Sequence, residues 1–212
     1  MDKYPLLRRA LALGIILLFV RTGITPTIAH DIEKPSQSTS SGHWLYVGGS
    51  GLGNYSVVQD AIDNASDGDT VYVYHGIYSD FSTYYGCIQI KKVISLIGEN
   101  KSNTILNGTG YARVLIIDAD DVNVSGFTVQ NGGAPELEGY SGWGIDISSG
   151  HRNVRIYDNI ITENHLGIGI DDNSTDVLVY DNSIIGNYYG IETQGVNSFI
   201  KIYNNTISCV IG

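Results

Sequence analysis

Residues 23 positions apart repeat one another in the last third of this chain, and no other feature of the sequence restricts the fold as strongly. Val154, Val177 and Ile200 form one column, Ile156, Val179 and Ile202 the next apolar one, and Tyr157, Tyr180 and Tyr203 follow. Asp158, Asp181 and Asn204 come next, then Asn159, Asn182 and Asn205, then Ile161, Ile184 and Ile207. Gly144, Gly167 and Gly190 sit beside Ile145, Ile168 and Ile191, and Asn164 with Asn187 makes a second Asn column. Looser segments at 113–131 and 86–107 continue the rhythm with insertions.

Each copy holds an alternating V-x-I, an isolated Ile and a G-I-x-I, separated by Asn, Asp or Gly. Alternation specifies strands, and the stretches are too short for helices. Such strands bury their apolar columns only by stacking copy upon copy at ~4.8 Å, which predicts an all-β parallel β-helix, a solenoid. Asn is expected both as a stacking ladder and as the residue that tolerates a left-handed corner. Ser56-Val57-Val58-Gln59 has the form of a capping box, and Val58, Ala61, Ile62 and Ala65 lie on one helical face. Residues 57–65 are therefore predicted as an N-terminal capping helix, with Val71–Tyr74 as the first strand after the Asp67-Gly68 turn. No comparable cap follows Thr206, so the 44–212 domain is expected to be C-terminally incomplete.

Lys3, Arg8 and Arg9 precede an apolar run from Ala10 to Val20, and Thr27-Ile28-Ala29 offers small residues where a signal peptidase cuts. Residues 1–29 read as a signal peptide and 30–43, polar and Ser/Thr-rich, as a flexible lead-in. The apolar run is about half of the roughly 20 residues a spanning helix needs, so no membrane span is expected after cleavage. The expected location is secreted or cell surface. The formal charge is -10. Cleavage removes Lys3, Arg8, Arg9 and Arg21 against Asp2 alone, so 12 basic and 22 acidic residues become 8 and 21, or -13. That balance excludes nucleic acid as a partner, because a phosphate binder needs a basic face. Two Cys cannot make a disulfide scaffold.

The stretch YSVVQDAIDNASDGDTVYVYHGIY (55–78), followed by VISLIGENKSNTILNG (93–108), resembles the opening of right-handed parallel β-helix proteins of the pectin-lyase superfold. The copies of N-x-I-x-x-N-x-x-G-I at 159–168 and 182–191 resemble the NosD-like repeats of carbohydrate-binding proteins and sugar hydrolases. The resemblance implies a right-handed winding and a polysaccharide or cell-surface glycan as partner. It does not choose a chemistry, since the superfold hosts lyases, hydrolases, esterases, epimerases and adhesins. Asp171-Asp172 resembles the paired Asp of polygalacturonases without their Gly-His-Gly and Arg-x-Lys elements.

Following the inward Ile156, Val179 and Ile202, the residues Tyr157, Tyr180 and Tyr203 should point outward as an aromatic stripe on which sugar rings stack. A polysaccharide-cleaving site would need outward carboxylates on adjacent coils. Asp146 and Glu192, two coils apart with Gly169 between, fit that need, with Asp171, Asp172 and His165 nearby. Asp118, Asp120 and Asp121 form one acidic turn and Asp171, Asp172 and Asp176 another, and calcium is the cofactor either could hold. The leading expectation is a non-catalytic carbohydrate-binding or scaffold module. Its alternative is a polysaccharide lyase, epimerase or hydrolase using the Asp146, Asp171, Asp172, Glu192 and His165 group. Anionic polysaccharide is disfavoured as substrate, because an acidic chain repels it.

Overall fold

Apolar residues that alternate along a strand must share one face, and in the computed structural model those faces close on one another around a single core. The structure describes residues 42–79, 87–110, 113–133 and 142–210. The predicted signal segment 1–29 and nearly all of the lead-in lie outside the described residues. Among the described residues no helix is long and apolar enough to cross a membrane.

The chain winds as a right-handed parallel β-helix of three sheets. Strands β1 (Trp44–Val47), β2 (Thr70–Val73), β5 (Ser95–Gly98), β8 (Asn123–Ser125), β11 (Arg155–Tyr157), β14 (Leu178–Tyr180) and β17 (Lys201–Tyr203) form a seven-stranded sheet in that order. A six-stranded sheet holds β3 (Gly76–Tyr78), β6 (Thr104–Asn107), β9 (Thr128–Gln130), β12 (Ile160–Thr162), β15 (Ser183–Asn187) and β18 (Thr206–Cys209). The five-stranded sheet contains β4 (Ile88–Ile90), β7 (Leu115–Ile117), β10 (Trp143–Ile147), β13 (Leu166–Ile170) and β16 (Tyr189–Thr193). Each strand pairs with the corresponding strand of the next coil, so Ile156 lies on Val179 and Val179 on Ile202, as the 23-residue spacing predicts. Ile145, Ile156, Ile161, Ile168, Val179 and Ile184 are fully buried. Each such side chain removed from water contributes about 1.5–3 kcal/mol.

Left-handed residues mark most of the corners between the sheets. Gly126, Asp158, Asp181 and Asn204 occupy the corner from the seven- to the six-stranded sheet, all at positive φ. The residue after each of the last three is the ladder Asn, so the left-handed position and the ladder position are neighbouring columns. Asn159 donates from Nδ2 to the carbonyls of Val124 and Tyr157 and to Asn182 Oδ1, and its backbone N–H also donates to Asn182 Oδ1, at 2.9–3.1 Å. Asn182 repeats the pattern on Ile156, Tyr180 and Asn205. Asn164 and Asn187 make a second ladder at the next corner.

Helix α1 (Val58–Asn64) packs against β1, β2 and β4 and closes the N-terminal end. Two expectations are corrected here. The first strand is Trp44–Val47, one coil ahead of the VYVY segment, and it pairs in register with Thr70–Val73. The capping box does not form: Val57 is the N-cap, and its side chain makes no capping hydrogen bond. Gln59 turns instead to the unpaired edge of β4, accepting from the Gln89 N–H at 2.8 Å and donating to the Gln89 carbonyl at 3.1 Å. A buried edge strand must satisfy those backbone groups, and the Gln59 amide does so as a missing strand would. Nearby, Asp69 accepts from the N–H groups of Ser66 and His43, each at 2.7 Å.

Candidate functional site

On the outer face of the five-stranded sheet the Cα partners run Gln89, Ile116, Asp146, Gly169 and Glu192. The predicted column Asp146, Gly169, Glu192 is therefore in register. Asp146 is fully buried, while Glu192 is exposed. The interruption at Gly169 has a steric reason. A Cβ there would lie 2.4 Å from Cε3 and Cζ3 of Trp143, so the indole fills the space a side chain would take. Arg113 stacks on that indole, with its guanidinium carbon 4.8 Å from the ring centroid, and brings Nη1 to 2.9 Å from Asp146 Oδ2.

The Arg113 approach is an ion pair without hydrogen-bond geometry. Both Asp146 carboxyl oxygens are left without a hydrogen-bond partner among the described residues, and the same holds for the buried Oδ1 of Asp171. Burial disfavours the charged form and pushes the Asp146 carboxyl up to about 7; Arg113 opposes this, and Asp171 and Asp118 add to it. Asp171 is raised too, first by burial and further by Glu192, with Arg113 again opposing. Asp146, Asp171, Glu192 and Arg113 thus form one electrostatic group. Near neutral pH its central carboxyl exists in both protonation states.

His165 and Asp172 lie apart from that centre. His165 stacks on Tyr188 at 5.2 Å and meets Tyr189 edge-on at 5.5 Å, and its Nδ1 is buried without a partner among the described residues. Asp172 accepts from the N–H groups of Asn173 and Val196, which fixes a turn. In the other acidic turn, Asp118 and Asp120 hold the two ring nitrogens of His151 at 3.1 Å each. Burial pushes Asp120 up, but the bonds from His151 and Arg152 hold it below the usual carboxylate range. Asp121 accepts from the side-chain amide of Asn153, and Asp121 and Asp176 both adopt the left-handed corner conformation. Among the described residues no three His, Cys, Asp or Glu side chains are grouped to hold a metal ion.

Tyr157, Tyr180 and Tyr203 do stand on one outer column, that of the seven-stranded sheet. Their rings stack face to face, with centroids 5.1 Å apart at both steps and interplanar angles of 5° and 2°. Burial raises the Tyr180 hydroxyl, with its two ring neighbours adding to the shift. The same column continues through Ser125 and Ile97 to Tyr72 and Tyr46 at the other end of the solenoid.

Arg113 and Trp143 are the two site residues that sequence reasoning missed. Arg113 falls outside the repeating columns. Trp143 occupies the position of Leu166 and Tyr189, immediately before the Gly-Ile column, and its size at that position was the available signal.

Comparison with known proteins places the chain among the β-helices. The family model described as "Right handed beta helix region" matches residues 86–211. No curated protein matches the sequence significantly. Among solved structures, a mutant pectin methylesterase in complex with a hexasaccharide is similar at 12% identity and a TM-score of 0.47. The match covers 68% of this chain and 56% of that one, so the chain spans little more than half the length of that enzyme.

Proposed function

Because the chain belongs to the right-handed β-helix family, we propose that it is a carbohydrate-active protein, secreted or held at the cell surface, that binds polysaccharide on its outer face and acts on it at Asp146. The N-x-I-x-x-N-x-x-G-I copies support a NosD-like branch of that family. One observation carries the catalytic part: a carboxyl on an outer sheet face is buried without a hydrogen bond and sits at about 7. A group so perturbed, beside other acids and one cation, is what proton transfer at neutral pH requires.

In this reading protonated Asp146 gives its proton to the oxygen that leaves when a glycosidic C–O bond breaks. Water adds to the anomeric carbon and passes its proton to a second carboxylate, Asp171 or Glu192. Asp146 and Glu192 are two coils apart, ~9–10 Å between backbones, which suits two carboxylates flanking a sugar and one water. Arg113, 42% exposed at its side chain, is the part of the pair that a substrate can displace. The acidic charge points to a neutral polysaccharide.

The test is release of reducing ends from neutral polysaccharides by the whole chain, with and without Ca²⁺, in native and Asp146→Asn protein. Turnover that falls at least 100-fold in the variant, with a pH limb near 7 in the native protein, is the expected result. Binding without product in both proteins would instead establish the non-catalytic module.

A further inference from the structure

The N-terminal coils present four aromatic rings on the outer face of the seven-stranded sheet: Trp44 and Tyr46 from β1, Tyr72 from β2 and Tyr74 just beyond it. Ring centroids lie 5.3–6.3 Å apart, and Trp44 is 53% and Tyr46 38% exposed. We infer that this cluster is a docking surface for a neutral polysaccharide chain. The inference rests on the carbohydrate-active reading for its ligand class, but the surface lies on a different sheet from Asp146.

Ring orientation separates this cluster from the C-terminal tyrosines. Tyr157, Tyr180 and Tyr203 cover each other's faces within 5° of parallel. Trp44 is tilted 31° to Tyr46 and 38° to Tyr72, and Tyr72 meets Tyr74 at 82°; Tyr46 stacks on Tyr74 at 26°, but among the described residues no ring lies flat on Trp44. Two exposed rings, Trp44 and Tyr46, backed by the half-buried Tyr72 and Tyr74, mark an interaction surface on a small domain.

Chemistry selects the occupant. Three of the four rings carry a hydroxyl, so the surface offers apolar faces edged by hydrogen-bonding groups, as a pyranose does with its C–H faces and equatorial hydroxyls. Burial and the nearby Glu99 carboxylate raise the Tyr72 hydroxyl, which keeps it protonated and able to donate. Glu99 and the net charge of -10 oppose polyuronates and nucleic acid.

The test is affinity electrophoresis of the full chain in gels containing hydroxyethylcellulose, arabinoxylan, galactomannan or glucomannan, with polygalacturonate as the charged control. At least one neutral polymer should retard the native protein and polygalacturonate should not. Trp44→Ala and Tyr46→Ala should each weaken the retardation at least tenfold, with unchanged circular dichroism, while Trp44→Tyr retains most of it. Asp146→Asn should be retarded like the native protein, so loss of turnover at Asp146 leaves this surface standing. Retardation that survives the paired Trp44→Ala, Tyr46→Ala change overturns the inference. So does the absence of retardation by every neutral polymer, or retardation that appears only after residues 30–41 are deleted, which would make the lead-in the occupant.

Discussion

The Trp143 indole occupies the space that any side chain on Gly169 would need, with two ring atoms 2.4 Å from where that Cβ would stand. The ring in turn carries the Arg113 guanidinium that faces Asp146. Gly169→Ala should therefore push the indole off the sheet, costing about 1–3 kcal/mol as overpacking does. Thermal melts would measure the loss, and a red shift of the Trp143 emission, read in a Trp44→Phe background, would report the ring leaving its buried seat. An unshifted spectrum would contradict the geometry.

Asp146 makes stability fall as pH rises. Its folded-state carboxyl titrates at about 7 against 3.8 for the ordinary side chain, so the native state binds more protons than the unfolded chain between those values. Ionising it in place costs on the order of 4 kcal/mol at pH 8, at about 1.36 kcal/mol per pH unit. Asp146→Asn should be as stable as the native protein at pH 4 and clearly more stable at pH 8. Parallel melting curves for the two proteins across that range would refute the assignment.

The opposite sign holds at Asp69. Its pKa is lowered by the Ser66 N–H first and also by His43, so this carboxylate adds stability above the ordinary carboxylate range that is lost as pH falls through its folded value. Asp69→Ala leaves two backbone donors without their acceptor and should cost about 1–3 kcal/mol. Faster amide hydrogen exchange at Ser66 and His43, confined to the first coils, is the measurement that checks it.

Asn182 holds three coils together and is 2% exposed. Removing it in Asn182→Ala strips the Asn159 N–H of its acceptor and the Ile156 and Tyr180 carbonyls of a donor, which should cost about 3 kcal/mol or more. Asp181→Gly, one residue earlier at a left-handed corner, should be nearly neutral. Equal losses from the two substitutions in chemical denaturation would rule out the ladder as the source.

Much of this architecture could be read from spacing alone. Stacking identical residues imposes one period on core, corner and ladder together, so Ile156, Asp158 and Asn159 each announced their columns. The first coil did not follow that period, and Trp44–Val47 was missed because no repeat precedes it. Gln59 looked like a capping residue because the four-residue motif is local, whereas its partner Gln89 is 30 positions away. Alternation put Asp146 on an outer face but said nothing of what lies over that face. Arg113 reaches the acid from a position ahead of the strict 23-residue spacing, and Trp143 stands in a column where Leu166 and Tyr189 carry different side chains, so identity along the column did not announce it.

Asn159 and Asn182 each bond to the coil on either side in the same way, and corresponding corners repeat from coil to coil along the regular region. A gene segment encoding one 23-residue unit could therefore be duplicated or deleted within the regular region and leave every remaining rung its usual neighbours. Lineages can lengthen such a rod stepwise, adding surface at constant cross-section without inventing a new core.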